Sequence, residues 1–442
     1  MTGVVPSGIA IIVSLFLLIF LVMKGLNLIP TAILCAVFMS FFVEGGISVG
    51  LMETFTSGVG SLAADYILPM MFAGIFAGLM SASGCDLAFG RKLVSLFGDK
   101  AAVYGLSLFV FIICACGVTS YIFVTAILAF PILRASNLPR NVGVIIMQGV
   151  AGAAMFMMPG SIATINILVA QMFGVTLFAG GWIGLVMAIF LMVFTLGYLQ
   201  IFVIPKYRRE GVGYTDTPME ETLKGRFATV PDDQLPSFWV SALPLIVLVI
   251  STVILQFVIQ VGVALAGCMG LLIGSLMIII LCWKNVSKKI LFAVGHGCET
   301  ACGPFVMICA VAGYGTVITS TAAYNWLIEV VTEMNMNPYL MVVLGTIMLA
   351  GICGDSGSSL VISASAVCER AIAMGAKAGY VTRLAMAAST TLNSLPHSSN
   401  VAVTISFMGL THKECYHQIA VVQILGTLLA TFLGLGLVLL FG

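Results

Sequence analysis

Long apolar runs alternate with short polar breaks along the whole chain. The pattern predicts membrane-spanning helices at about Gly8 to Val22, Ile29 to Val43, Tyr66 to Ser81, Trp182 to Ile204, Phe238 to Val261, Ala264 to Cys282, Pro304 to Thr319 and Gln418 to Phe441. Each approaches the roughly 20 residues that a bilayer crossing requires. The first run begins without a basic leader and is followed by a second apolar run after Lys24, so it reads as half of a helical hairpin and not as a cleaved signal. Two further stretches, Ala101 to Phe173 and Tyr339 to Gly409, resist this reading, because Gly, Ser, Thr, Asn and Pro interrupt their apolar runs in mid-span. A polar segment, 206–237, separates the halves and reads as a linker.

The irregular stretches correspond at one constant offset of 237 residues. Gly78 maps to Gly315, Ser83 to Ser320, Gly117 to Gly354, Pro159 to Pro396 and Ser161 to Ser398. Helix breakers that coincide in two halves mark an inverted-repeat transporter, whose substrate site lies where the broken helices meet. The expected fold is therefore an all-α polytopic membrane protein. Residues 1–205 form one inverted repeat, with a re-entrant hairpin at about 101–134 and a broken helix at about 140–175. Residues 238–442 form the other, with a hairpin at about 339–370 and a broken helix at about 380–410.

Charge tests the hairpins. If both enter and leave on one face, the N-terminus lies outside and fifteen Lys and Arg fall on the cytoplasmic side, against Arg370, Lys377 and Arg383 outside. That is a strong positive-inside bias. If only one hairpin spanned fully, every later loop would change sides and the bias would collapse.

Composition sharpens the class. Of 442 residues, 61% are apolar and 8% charged, with a net charge of +1. No basic surface exists to attract nucleic acid. The twelve Cys form no CxxC pair, so disulfides and metal sites are not expected, and no cofactor is implied. His296, Cys298, Glu299 and Cys302 lack zinc spacing and are expected near an interface. No HExxH motif and no nucleotide-binding Gly-rich loop with Lys is present, which argues against a metalloenzyme and against ATP drive. Polarity concentrated in two interruptions per half favours one occluded site over a channel.

The chemistry gathers at those interruptions. The second hairpin tip reads Gly354-Asp355-Ser356-Gly357-Ser358-Ser359 between apolar flanks. Polar groups there must face protein or a cavity, and the hydroxyls and helix N-terminal amides suit an anion or an ion. Asp355 is read as the one acidic residue near the membrane midplane, where a carboxylate marks an ion or proton pathway; capping of the following helix is the structural alternative. The second break reads Asn393-Ser-Leu-Pro-His397-Ser398-Ser-Asn400. Pro396 removes a helix hydrogen bond there, and His397 is placed as a donor to a carboxylate or a proton relay. The first-half equivalents, Thr119 and Ser120 at the tip and Gly160 and Ser161 at the break, carry no ionisable group. The expected site is asymmetric: the first half offers hydroxyls and amides, and the second adds Asp355 and His397. Met155, Met157 and Met158 are read as packing residues.

At Leu395-Pro-His397, followed by Leu410-Thr-His-Lys-Glu-Cys-Tyr416, the sequence resembles the gluconate permease family of the ion transporter superfamily, nearest a hydroxybutyrate-permease-like branch. Ser398-Ser-Asn400 stands where that branch has Asn-Gly, Asn393 where Asp is usual, and Cys415 where Ser is usual. The resemblance implies proton-coupled uptake of a small organic anion, with sodium as the alternative coupling ion. It also implies an elevator-type transport domain built from both hairpins and both broken helices, a dimerising scaffold, and a place in the bacterial cytoplasmic membrane.

Overall fold

The computed structural model describes residues 3–97, 101–115, 121–161, 163–216, 221, 234–333 and 336–442. Helices α1 (Val4–Met23) and α2 (Leu28–Ser40) form the first hairpin, and α3 (Gly46–Ser83) follows as one 38-residue helix. Then come the amphipathic α4 (Cys85–Phe97), the arms α5 (Ala101–Ala115) and α6 (Tyr121–Ala135), the broken pair α7 (Asn141–Met157) and α8 (Thr164–Met172), and α9 (Gly181–Glu210). The second half repeats the order. It comprises α10 (Phe238–Phe257), α11 (Val263–Leu281), α12 (Ile290–Thr319), α13 (Ala322–Glu333), α14 (Pro338–Cys353) and α15 (356–373), then the broken pair α16 (Ala378–Ser389) and α17 (Ser399–Phe407), and α18 (His412–Phe441). Six of these helices are long and apolar enough to cross a membrane, and the chain is a multi-pass, all-α membrane protein.

Element boundaries in the two halves track the 237-residue offset, and equivalent helices run in opposite directions. Along α3 and α12, Gly58 lies against Ala312 and Thr316, while Gly74 lies against Gly297. Advancing along one helix means retreating along the other. The same holds for α9 and α18, where Leu191 and Phe194 meet Gly426, and Ile183 and Met187 meet Gly434. Even the bends correspond. Pro69 and Pro304 interrupt the long helices at nearly equivalent places, and Pro131 in α6 falls where α15 carries a π-helical turn, Ala364–Cys368. Both devices remove a regular helix hydrogen bond.

The described arms of the first hairpin are short. Fifteen residues of α5 or α6 reach about 22 Å at 1.5 Å per residue, short of the roughly 30 Å hydrocarbon core. In the second hairpin Thr346 hydrogen-bonds to Ser363 across the arms, which places the turn at Gly354-Asp355. The first tip, 116–120, lies outside the described residues, and so do Lys100 and half of the 206–237 linker.

Two expectations are corrected here. The third and seventh spans begin earlier than their apolar cores suggest, at Gly46 and Ile290 instead of Tyr66 and Pro304. Asp65 is consequently not a loop residue but sits at the middle of α3, so Asp355 is not the sole mid-span carboxylate. Arg383 is not an exterior loop charge either. It lies inside α16, 1% exposed, with Nε donating to the Ala179 carbonyl at 2.9 Å, Nη1 to Asn166 Oδ1 at 3.1 Å and Nη2 to the Leu177 carbonyl. Arg140 answers it from the other half, with Nη1 donating to the carbonyls of Met408 at 2.8 Å and Gly409 at 3.1 Å. Each arginine thus ties its own half's broken helix to the segment at or beyond the break in the other half.

Candidate functional site

The second hairpin tip is shaped by two residues. Gly354 ends α14 with φ of +64°, the left-handed conformation that glycine adopts without steric cost. Asp355 is extended and caps α15. Its Oδ2 accepts from the Ser358 amide at 2.7 Å and from Ser358 Oγ at 2.9 Å. Both bonds fall on one oxygen, which leaves Oδ1 available. The capping role is therefore real, and it coexists with access to open space, since Asp355 lines two adjoining cavities of about 280 and 460 Å³.

The tip is stitched to the second break. There α16 stops at Ser389, a short 3₁₀ turn spans Leu392–Ser394, and α17 restarts at Ser399. Ser356 Oγ donates to the Ser389 carbonyl at 3.2 Å, Asn393 Nδ2 donates to Ser356 Oγ at 2.6 Å, and Ser394 Oγ donates to Asn393 Oδ1 at 2.9 Å. His397 lines the larger cavity and is only 2% exposed, with its ring against the backbone of Gly351 and Ile352 at the end of α14. Its ring stands edge-on to Tyr314 at 6.4 Å and against Gly354, where a Cβ would fall 2.7 Å from Cδ2. Glycine is thus required at the tip both by its φ and by the histidine ring.

A neutral network occupies the other flank. Asn400 Nδ2 donates to Gln148 Oε1 at 3.2 Å, Gln148 Nε2 to Thr404 Oγ1 at 2.7 Å, and Tyr121 OH to Asn400 Oδ1 at 3.4 Å. Gln423 Nε2 reaches Gln148 Oε1 at 3.5 Å, while Gln423 Oε1 has no partner among the described residues.

The sequence-read residues divide accordingly. Ser356, Gly357, Asn393 and Asn400 line the smaller cavity, Ser358 and His397 the larger, and Asp355 both. Ser359 is buried and donates to the Ser356 carbonyl at 3.0 Å. Ser398 is buried and outside both linings. Gly160 and Ser161 also lie outside them. The Gly160 amide donates to the Leu177 carbonyl at 3.0 Å, and Ser161 Oγ reaches the Ala115 carbonyl at 3.4 Å, so both shape the first break. Thr119 and Ser120 lie outside the described residues. Sequence reasoning missed Asp65, Tyr66, Tyr121, Gln148 and Gln423, all of which face these cavities or bond to residues that do. The two glutamines were findable as single polar residues in apolar helices.

The electrostatic character is one-sided. Asp65 and Asp355 line the larger cavity, and among the described residues no Lys or Arg lines either one. The N-terminal turns of α15 and α17 supply the positive partial charge, through backbone amides and the aligned peptide dipoles. Such a site can hold a monoanion together with a cation, but it offers no fixed counter-charge to an anion alone.

No protein-family model matches the chain. It is 22% identical to the "Uncharacterized transporter YxjC" of Bacillus subtilis (strain 168) over 457 aligned residues, covering 95% of this chain and 96% of the relative. Among solved structures, that of the Alcanivorax borkumensis YdaH transporter, described as having an unusual topology, aligns with 97% of this chain and 99% of its own at 12% identity and a TM-score of 0.41.

Proposed function

We propose that the chain is a secondary active transporter of the gluconate permease type, which imports a small hydroxy monocarboxylate together with protons. The observation that carries this reading is the convergence of a capped hairpin tip and a broken helix on shared cavities that hold carboxylates, neutral donors and helix N-termini but, among the described residues, no Lys or Arg. A carboxylate substrate beside Asp355 suffers like-charge repulsion unless a cation accompanies it, which is a physical reason for symport. Amide and hydroxyl groups on Asn393, Asn400 and Tyr121 suit the hydroxyls of such a substrate. The full-length similarity to a protein named as a transporter points the same way.

The test is uptake of gluconate and 3-hydroxybutyrate into vesicles holding the purified protein, under an inward proton gradient without sodium. Accumulation is expected for at least one of them and not for succinate, whose second carboxylate finds no partner. Accumulation that appears only when sodium is added would replace the proton by sodium.

A further inference from the structure

The smaller cavity, of about 280 Å³, is bordered by more than the hairpin tip. Asp355, Ser356 and Gly357 reach it from the tip, Ser399 and Asn400 from the start of α17, and Gly152 of α7 and Gln423 of α18 complete the part that matters for recognition. Gln423 belongs to a π-helical turn, Ala420–Leu425, and Gly152 stands immediately before another, Ala153–Met157. Such turns frequently mark functional sites in helices.

The amides beside this cavity are oriented one by one. Thr404 Oγ1 donates its hydrogen to the Asn400 carbonyl at 2.9 Å, so toward Gln148 it can only accept, and Gln148 Nε2 donates to it at 2.7 Å. Gln148 Oε1 is thereby turned the other way, where it accepts from Asn400 Nδ2 at 3.2 Å and from Gln423 Nε2 at 3.5 Å. Gln423 Oε1 is what this relay leaves over. The side chain is 4% exposed, and the oxygen has no donor among the described residues. It lies over Gly152, where a Cβ would be 3.2 Å away. Ala151, Met155, Phe156 and Val403 share the cavity wall and have no side-chain donor to offer. A buried acceptor without a donor is costly, so a site built around one selects the ligand that brings the hydrogen.

We propose that Gln423 reads a substrate hydroxyl. The carboxylate of a hydroxy acid rests at the N-termini of α15 and α17, where backbone amides favour an anion, and a hydroxyl elsewhere on the same molecule donates to Gln423 Oε1. The proposal rests on the transport reading above and adds the residue that separates a hydroxy acid from the plain fatty acid of equal length. Gln148 lies outside both cavity linings, so it is a positioning residue: it fixes which atom of Gln423 is left without a partner. Gly152 leaves the room that the hydroxyl needs.

The experiment is calorimetric titration of the purified full-length protein in lipid nanodiscs with two matched pairs of acids, 3-hydroxybutyrate with butyrate and gluconate with hexanoate. A mildly acidic buffer containing sodium supplies either coupling cation, and empty nanodiscs correct for partition into lipid. In at least one pair the hydroxy acid is expected to bind roughly tenfold or more tightly than its partner. Gln423→Met keeps the length of the side chain and removes the acceptor. It should bring the ratio to about one by weakening the hydroxy acid alone, with the affinity for the plain acid unchanged. Gly152→Ala, a mild change inside a helix, should lower the same ratio by crowding the oxygen. A ratio near one in the parent protein, an unaltered ratio in both variants, or an equal loss on both members of a pair would each overturn the proposal while leaving carboxylate transport in place. Absence of binding by all four acids would overturn it together with the transport reading.

Discussion

Asp355→Asn is expected to keep substrate exchange across the membrane and to lose accumulation driven by a pH gradient. The two effects separate because the carboxylate holds two positions at once. As a helix cap it accepts from the Ser358 amide and hydroxyl through one oxygen, and an asparagine amide oxygen caps equally well. The tip therefore keeps its geometry while the residue loses the ability to change charge. A gradient of one pH unit carries about 1.4 kcal/mol per proton, enough for roughly tenfold accumulation, and all of it should vanish. Asp355→Ala discards the cap too, at a further cost of about 1 kcal/mol, so its exchange should also fall. Counterflow and gradient-driven uptake measured on the same vesicles distinguish these outcomes. Undiminished accumulation in Asp355→Asn would move the coupling away from the tip.

Arg383→Met should be the most damaging single change for stability. The guanidinium satisfies two backbone carbonyls, of Leu177 and Ala179, and the Asn166 side chain, all from the other half of the chain. Methionine fills much of the volume but donates nothing. The Leu177 carbonyl keeps the Gly160 amide, so the Ala179 carbonyl and Asn166 Oδ1 are the acceptors left without their donor; at about 1 to 3 kcal/mol each, a loss of about 3 kcal/mol is expected. Arg383→Lys should recover only part of it, because an ammonium cannot reproduce the planar fork. Thermal unfolding followed by size-exclusion fluorescence reads this directly. A midpoint within about 2 °C of the parent protein would show that the clamp holds little.

What could be read in advance follows from how each feature is encoded. The tip at Gly354-Asp355 and the breaks at Pro159 and Pro396 were legible because each is a local conflict: small and polar residues inside apolar helices, repeated at one offset. Asp65 was hidden by the opposite circumstance. The first half of α3 contains Glu53, Thr54, Thr56, Ser57, Gly58 and Ser61, which depress its apolar character, so the helix seemed to begin after Asp65. Arg383 was misread because its partners are mainly main-chain carbonyls some 200 positions away, and a carbonyl leaves no signature in sequence. Gln148 and Gln423 are single polar residues within apolar helices and were passed over, and nothing in the chain announces that they meet.

The glycine contact between the long helices α3 and α12 bears on leakage. A Cβ at position 74 would lie 2.3 Å from the Gly297 carbonyl oxygen, and one at 297 would lie 2.4 Å from that of Gly74. Bare main chain therefore touches bare main chain beside a cavity of about 420 Å³ that both glycines line. Without side chains to rearrange, the seam between these two helices cannot adjust its thickness: it is shut when the backbones touch and open when they do not. A single methyl group at either position would act as a wedge, and its first symptom would be a passive ion current, before any loss of fold.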